Sequence, residues 1–286
     1  MSEKYFCVDI GGTKTAFAVY DQSGKEYFYS VFPTLPEQGA YRLVDRVYND
    51  SMSAINTYKP VCGSIAAPGP LNAEKGVLID LVTLGWKNVE IVKIFQERFG
   101  FSFRLMNDCD AGALGVWKYG GYADYQNLAY VSLSTGVGGG VVLNGKPYFG
   151  AGNAADFGHM PVVGEGLRCG CGKTDCLELY ASGMGMEKRY KSATGESIPC
   201  AEIVARAKQG EEIARRIFAQ ASEYLAFCVR GIRSTFDPDV IVFGGSVCAA
   251  GKLIFSALER DGVQFFLSGG DGKQVLKGAL ANIFLK

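Results

Sequence analysis

Residues 5–20 read YFCVDIGGTKTAFAVY, and this stretch decides the fold. An apolar run from Tyr5 to Ile10 ends at two glycines, and a run rich in β-branched and aromatic residues extends from Thr15 to Tyr20. This pattern predicts two strands joined by a tight turn. A Walker loop or a dinucleotide-binding fold needs a helix directly after its glycines, and the segment that follows here is too short and too β-branched for one.

The same arrangement recurs further along the chain. Leu128–Leu133 predicts a strand, residues 134–140 read STGVGGG and predict a turn, and Val141–Leu143 begins another strand. A third glycine pair, Gly244-Gly245, follows the strand-like run Val240–Phe243 and opens a helix. Because strands alternate with helical periodicity, the sequence predicts α/β architecture. The longer predicted helices are Ala40–Tyr58, Val89–Phe99, 211–236 and Gln274–Leu285.

The three glycine clusters together predict a nucleotide site. Glycines at strand ends leave backbone N–H groups open to close approach by an anion, and neighbouring hydroxyl and ammonium groups add donors. Asp9 precedes the first cluster, where a carboxylate is placed to hold Mg²⁺ beside phosphates. For any single cluster, a hairpin turn that requires positive φ explains the glycines equally well. The residues predicted to bind the nucleotide and its metal are Asp9, Gly11, Gly12, Thr13, Lys14, Thr135, Gly136, Gly138, Gly244 and Gly245.

Asp108 is the candidate catalytic base. It ends the predicted strand Phe103–Met106 and precedes a predicted helix, and ligands of open α/β sheets bind outside the carboxyl ends of strands. A carboxylate in that position can accept the proton of a hydroxyl group as its oxygen attacks phosphorus. The competing interpretation is that Asp108 or Asp110 caps the helix, and the local sequence by itself favours capping.

One histidine and three closely spaced cysteines predict a zinc site. His159 is the only histidine of the chain, and residues 169–176 read CGCGKTDC. Imidazole and three thiolates form a closed tetrahedral set with no open position, which predicts a structural role for the ion. The alternatives are cysteines that act as buried apolar residues, or a cysteine nucleophile with a histidine base. The predicted ligands are His159, Cys169, Cys171 and Cys176, and Asp156 and Glu178 are carboxylates that the loop would fix in space.

Composition limits the class of protein. The 286 residues allow two domains, and 29 acidic residues balance 29 basic ones. Balanced charge argues against nucleic acid or an anionic membrane surface as a general partner. No apolar run has the length of a transmembrane helix, and the first residues lack a secretory pattern. The other six cysteines are scattered in apolar contexts and read as reduced thiols, which predicts a cytoplasmic protein.

These motifs resemble those of the ROK family of sugar kinases and related repressors, within the actin–hexokinase superfamily. Residues 9–14, DIGGTK, are similar to the first phosphate motif of the family, and residues 134–140 to the second. Residues 242–247, VFGGSV, are similar to its adenosine motif. The most specific element is CGCGKTDCLE at 169–178, which is similar to the family signature CxCGxxGCxE. The resemblance covers essentially the whole chain.

The resemblance implies a fold of two ribonuclease-H-like, actin-like ATPase domains with a cleft between them, usually assembled as homodimers. The expected domains are 1–109 with the terminal helix 272–286, and 110–271 with the zinc loop. The implied reaction is transfer of phosphate from ATP, with Mg²⁺, to a hexose, usually at its 6-hydroxyl group. The implied roles are a catalytic base for Asp108, zinc binding for His159, and sugar contacts for Asn107, Asp156, His159 and Glu178.

The chain departs from the family pattern at three places. Asp156 stands where the family usually has glutamate, and Asp175 stands where the zinc signature has glycine. Residues 82–86 read VTLGW where the family often has NLPGW. Glucose, fructose, N-acetylglucosamine, N-acetylmannosamine and β-glucosides therefore remain open as substrates. A sugar-sensing repressor is the alternative from another class, but the first hairpin begins too early for an N-terminal helix-turn-helix to precede it.

Overall fold

The structure, a computed structural model, describes residues 2–81, 84–269 and 272–285. It divides into two compact units. The first comprises Met1–Asp124, Pro147–Ala154 and Gly269–Lys286, and the second comprises Tyr125–Lys146 and Ala155–Ser268. Within the described ranges, no helix combines the length and the apolar character that crossing a membrane requires.

Strands and helices alternate along most of the chain, so the predicted α/β class is confirmed. The strands are β1 (Lys4–Ile10), β2 (Lys14–Asp21), β3 (Glu26–Pro33), β4 (Cys62–Ala67), β5 (Leu71–Asn72), β6 (Val77–Leu81), β7 (Trp86–Val89), β8 (Phe103–Asn107), β9 (Leu128–Leu133), β10 (Val137–Leu143), β11 (Lys146–Pro147), β12 (Val240–Gly244) and β13 (Phe266–Leu267). The helices are α1 (Ala40–Tyr58), α2 (Ile91–Phe99), α3 (Asp108–Tyr119), α4 (Glu178–Ala181), α5 (Gly183–Thr194), α6 (Cys200–Gln209), α7 (Glu212–Phe236), α8 (Lys252–Arg260) and α9 (Gln274–Ile283).

The first unit is built on a five-stranded sheet of order β3-β2-β1-β4-β8. The predicted hairpin is β1 and β2, which pair antiparallel, whereas β4 and β8 run parallel to β1. Side chains alternate between the two faces. Phe6 and Val8 pack with α1 and α2 on one face, and Tyr5 and Cys7 pack with α3 and α9 on the other. Alternation therefore places Asp9 on the face of α3 and α9.

Helices α3 and α9 pack at backbone distance, because a glycine lies on each at the crossing. A β-carbon on Gly115 would lie 1.9 Å from the Gln274 carbonyl oxygen, and one on Gly278 would lie 1.7 Å from the Ala111 carbonyl oxygen. This packing explains why the first unit continues to Asp124, beyond the boundary at residue 109 that the resemblance implied. The whole of α3 belongs with the sheet of the first unit.

The second unit repeats the same plan. Its sheet has the order β11-β10-β9-β12-β13, in which β9 and β10 pair antiparallel and β12 runs parallel to β9. The predicted turn over residues 134–140 is shorter than expected, because β10 begins at Val137. Gly139 lies within that strand, where a β-carbon would be 2.1 Å from the ring of Phe157. Gly139 therefore permits close packing against Phe157, and the later glycines lie in the strand and not in a turn.

The third glycine pair also differs from the prediction. Residues 246–250 form a 3-10 turn rather than the start of an α-helix, and α8 begins only at Lys252. The terminal helix ends at Ile283, two residues before the predicted end. In the segment 82–86, where the sequence departs from the family pattern, Val82 and Thr83 lie outside the described residues.

Candidate active site

Hydrogen bonds within the turn and from Thr34 hold the first hairpin turn in place. The Gly11 amide donates to the Lys14 carbonyl oxygen at 3.0 Å, and the Thr34 hydroxyl donates to the Gly11 carbonyl oxygen at 2.7 Å. Thr34 also lies 3.0 Å from the buried Thr15 hydroxyl. Gly12, Thr13 and Lys14 are exposed to solvent. The turn thus presents fixed backbone and side-chain donors to solvent, as an anion-binding turn requires.

Asp9 is a partly buried carboxyl group beside this turn. The pKa of Asp9 is raised to about 7. Burial is the main cause, the negative charge of Asp108 adds to it, and the positive charge of Lys14 opposes both. Two carboxyl groups of the first unit are therefore close enough to influence each other's ionisation. A dication bound beside Asp9 would favour its ionised form.

Asn107, and not an aspartate, caps α3. Its side-chain oxygen accepts hydrogen bonds from the Cys109 amide at 2.8 Å and from the Asp110 amide at 3.2 Å. The capping interpretation for Asp108 and Asp110 is therefore wrong, since both lie inside the first turn of the helix. The carboxylate of Asp108 accepts from the adjacent Cys109 amide at 2.8 Å.

The electrostatic environment of Asp108 suits a proton acceptor. Burial raises the pKa of Asp108, and the hydrogen bonds from Cys109 oppose the rise. Burial together with the charge of Asp108 raises the pKa of Asp110 to about 7. A carboxylate with a raised pKa holds a transferred proton more strongly than an exposed one does.

A cavity of about 510 Å³ opens beside this helix start within the first unit. Asn107 and Asp110 line it, so the residue that caps α3 also faces a space large enough for a small ligand. The side-chain amide nitrogen of Asn107 points toward Gly69, where a β-carbon would be 3.3 Å away. The sequence did not identify the other polar lining residues, which are Asn72, Glu74 and Asn282.

The second hairpin turn is joined to Glu178. The Ser134 amide donates to the Gly136 carbonyl oxygen at 2.9 Å and closes the turn, which leaves Thr135 exposed. The carboxylate of Glu178 accepts from the Val137 amide at 3.2 Å. A β-carbon on Gly136 would lie 2.6 Å from that carboxylate. A residue predicted to contact sugar therefore touches the turn that is predicted to contact phosphate.

A second cavity, of about 520 Å³, lies beside the same turn within the second unit. Thr135 lines it together with Ser246 and Val247, which directly follow the third glycine pair. The pair itself has a packing role: a β-carbon on Gly244 would be 2.3 Å from the Tyr130 hydroxyl, and one on Gly245 would be 2.2 Å from the Leu133 carbonyl oxygen. Sequence reasoning missed the lining residues on α5 and α6, which lie far from any motif: Met184, Glu187, Cys200 and Lys208.

The predicted metal ligands converge in the second unit. The ligand atoms of His159, Cys169, Cys171 and Cys176 all lie within 4.8 Å of one another. The Cys171 and Cys176 sulfurs are 3.6 Å apart, and the Cys169 sulfur is 3.7 Å from His159 Nδ1. In a tetrahedral zinc site, bonds of about 2.3 Å to sulfur and 2.0 Å to nitrogen place ligand atoms roughly 3.6–3.8 Å apart. The four residues thus fit such an ion.

His159 offers different nitrogens to different neighbours. Nδ1 faces the sulfurs, whereas Nε2 lies 3.9 Å from a carboxylate oxygen of Asp156. Asp156 is more than half exposed, and it precedes a 3-10 turn over Phe157–His159. The ring of His159 therefore lies between the cysteine sulfurs and an exposed carboxylate.

Asp175 organises the loop that carries the cysteines. Its backbone has φ of 53°, and its carboxylate accepts from the Tyr180 hydroxyl at 2.5 Å and from the Gly166 and Leu167 amides at 2.9 Å. The hydrogen bond from Tyr180, with those from the loop amides, lowers the pKa of Asp175. The position where the family signature has glycine therefore keeps the left-handed backbone that glycine favours.

Comparison with known proteins shows the family of this chain. The profile of the ROK family matches residues 5–280, so the chain belongs to the ROK family. It is 29% identical over 288 residues to a glucokinase of Streptomyces coelicolor, covering 94% of this chain and 89% of that protein. It is 32% identical over 256 residues to an N-acetyl-D-glucosamine kinase of Citrobacter koseri, covering 85% and 84%.

A solved structure gives the same result for the fold. The crystal structure of a ROK family glucokinase from Streptomyces griseus, in complex with glucose and AMPPNP, superposes with a TM-score of 0.82. The two sequences are 26% identical, and the match covers 98% of each chain. The likeness therefore extends through both units.

Proposed function

We propose that this chain is an ATP-dependent sugar kinase that transfers the γ-phosphoryl group to a hydroxyl of a hexose. The 6-hydroxyl of glucose is the first acceptor to test, and N-acetylglucosamine, N-acetylmannosamine, fructose and β-glucosides are the alternatives. The proposal is supported by relatives that phosphorylate glucose and N-acetylglucosamine and by the glucokinase that binds glucose and AMPPNP. The observation that carries it is Asp108, which Asn107 frees from capping at the carboxyl end of β8.

The reaction requires one proton acceptor and a set of donors for phosphate. The carboxylate of Asp108 takes the proton from the sugar hydroxyl, the oxygen forms a bond to the γ-phosphorus, and the bond from phosphorus to the ADP oxygen breaks. The products are a hexose phosphate and ADP. Gly12, Thr13 and Lys14 in the first turn would donate to phosphate oxygens, as would Thr135 and Gly136 in the second. Mg²⁺, when bound, neutralises charge on the phosphates, and Asp9 is the carboxylate that would hold it.

Selection of the sugar belongs to a separate group of residues. Asn107 in the first unit and Asp156, His159 and Glu178 in the second are proposed to bind sugar hydroxyl groups. Asp156 is one methylene shorter than the glutamate that the family usually has, so this position is proposed to determine which hexose is accepted. A site that hydrogen-bonds a hydroxyl group rejects sugars that leave its buried polar groups unpaired.

Loss of turnover in an Asp108→Asn variant is the test of the reaction. The amide cannot accept the proton, so we expect kcat to fall by about two or more orders of magnitude while sugar binding and the melting temperature stay close to those of the wild type. A coupled assay of ADP production across a hexose panel measures kcat. Calorimetry measures binding of the best hexose and the melting temperature. The control is Asp124→Asn, an exposed carboxylate of the same unit. Near wild-type turnover of folded Asp108→Asn protein would contradict the assignment.

We also propose one structural zinc ion per chain, bound by His159, Cys169, Cys171 and Cys176. Elemental analysis of purified protein should find one zinc per chain. Cys171→Ser should lower the zinc content and make the loop sensitive to proteolysis, because metal binding and local folding are coupled. Cys62→Ser, a similar change in the first unit, should leave both unchanged. Full stability and activity in protein without metal would refute the proposal.

The resemblance further supports a homodimer, and the nine cysteines, all unpaired thiols, support a cytoplasmic location. Light scattering coupled to size exclusion would test the first, because a monomer over the working concentration range would exclude a stable dimer. Localisation of the tagged protein by cell fractionation would test the second.

A further inference from the structure

A third cavity, of about 760 Å³, lies in the second unit among the zinc loop, α5 and α7. Among the described residues that line it, none is a predicted nucleotide, sugar or metal residue. Its size is in the range of small-molecule sites. The reaction described above gives this space no role.

The cavity is lined by an excess of positive charge. Arg168 comes from the zinc loop, Lys188 and Arg189 from α5, and Arg216 from α7. Two carboxylates also line it, but one of them is already neutralised: Glu223 lies 2.9 Å from the guanidinium of Arg260. The other, Glu165, is more than half exposed at the rim.

Arg189 is the most unusual of these residues. Its side chain is only 12% exposed, yet Nη1 has no hydrogen-bond partner among the described residues. Nη2 donates to the side-chain oxygen of Gln220, and the nearest carboxylate oxygen, on Glu165, is 3.8 Å away. A guanidinium group remains protonated in proteins, so a buried one with an unused donor carries a desolvation cost. The Tyr180 ring, 5.0 Å from the central carbon of the group, and Glu165 offset that cost only in part.

We propose that this cavity binds a compact oxyanion, the phosphate or carboxylate group of a small metabolite, in the fork of Arg189. Planar guanidinium donors match the two oxygens of such a group, and Arg168, Lys188 and Arg216 surround the same space. A modest displacement of Gln220, which also donates to Glu165 and to the Tyr224 hydroxyl, would free Nη2 for the anion beside the unpartnered Nη1.

The position of the cavity makes it an effector site. Leu179 lines it and directly follows Glu178 on α4, and the Glu165 amide donates to the Tyr180 hydroxyl at 2.8 Å. A bound anion would therefore contact the segment that carries a proposed sugar residue without entering the reaction. The proposal does not depend on the identity of the sugar.

Isothermal titration calorimetry on the full chain tests the proposal. Inorganic pyrophosphate is the phosphate probe, citrate is the carboxylate probe, and excess AMPPNP keeps the nucleotide cavity occupied. Saturable binding of either probe at matched ionic strength is expected, and the preferred probe identifies the class of anion. Arg216→Gln should weaken that binding about tenfold, the effect of losing one charge-assisted hydrogen bond.

The matched control is Arg233→Gln, the same charge change at an exposed position of α7 outside the cavity, which should alter the Kd less than twofold. Arg189→Lys should weaken binding at least as much as Arg216→Gln, and if it does not fold, the comparison of the two α7 variants decides. Absence of saturable binding for both probes would overturn the proposal. Equal weakening in Arg216→Gln and Arg233→Gln would do so too, because it would show a nonspecific effect of net charge.

Discussion

At the scale of single residues, Asp175 shows how a departure from the family pattern is accommodated. Its φ of 53° is a conformation that glycine adopts without strain and that aspartate adopts more readily than most residues. In return the carboxylate ties the Gly166 and Leu167 amides to Tyr180. Aspartate at this position thus gives up the conformational freedom of glycine, and its carboxylate forms hydrogen bonds across the loop.

Restoring glycine at this position should therefore weaken the protein. We expect Asp175→Gly to lower the melting temperature and to expose residues 165–175 to proteolysis, because three side-chain hydrogen bonds are lost although the backbone conformation is relaxed. Asp175→Asn keeps an acceptor oxygen and should lie between wild type and the glycine variant. Differential scanning calorimetry with limited proteolysis measures both effects. An Asp175→Gly protein as stable as wild type would show that the loop needs only the backbone conformation.

Local sequence could not decide the roles of residues 107–110. Asn107, Asp108 and Asp110 are all good capping residues, so local sequence cannot tell which of them caps the helix, and the prediction names only the aspartates. The actual cap depends on where β8 ends, and that strand ends one residue later than predicted. The cluster of one histidine and three cysteines was predictable because all four residues lie within eighteen positions. The lining residues Glu187 and Lys208 were not, because helices far from any motif bring them to the cavity.

At the scale of elements, the contact of α3 with α9 depends on the absence of two side chains. Gly115 and Gly278 each face backbone of the opposite helix, at distances that exclude a β-carbon. Close contact of this kind fixes the position of α3 against α9, and Asp108 lies in the first turn of α3. The first unit therefore relies on its terminal helix for the position of its candidate base.

Gly278→Ala should separate the two helices. The added methyl group would be 1.7 Å from the Ala111 carbonyl oxygen, so the helices must move apart, at a cost of about 1–3 kcal/mol or more in the free energy of unfolding. Gly269→Ala is the control, because a β-carbon there meets no atom within 4 Å. Urea denaturation of the three proteins measures the difference. Equal stability of Gly278→Ala and Gly269→Ala would argue against this packing.

Long, regular elements were predictable and short ones were not. Helix α1 has the predicted bounds, Ala40–Tyr58, because its apolar residues recur at helical spacing over five turns. The three-stranded sheet β5-β6-β7 was missed, since its strands have two to five residues and little alternation. The membership of α3 in the first unit was also beyond local reasoning, because its partner α9 lies about 160 positions later in the chain.

At the scale of the whole molecule, the two units share one topological plan. In each sheet the central strand pairs antiparallel with its hairpin partner on one side, and two strands on the other side run parallel to it. The repeat was visible in the sequence because both hairpins have glycines between two apolar, strand-like runs. Membership of the ROK family then connects this plan to phosphoryl transfer.

The hydrogen bond from the Val137 amide to Glu178 has a thermodynamic consequence. If Glu178 must adjust to hold a sugar, the turn at Thr135 and Gly136 adjusts with it, so the free energies of sugar and nucleotide binding are coupled. Linkage then requires each ligand to change the affinity for the other by the same factor. We expect the Kd for the hexose to differ with and without saturating ADP, and this difference to shrink in Glu178→Gln. If titrations of the wild type give independent affinities for the two ligands, the carboxylate holds the turn without coupling sugar binding to nucleotide binding.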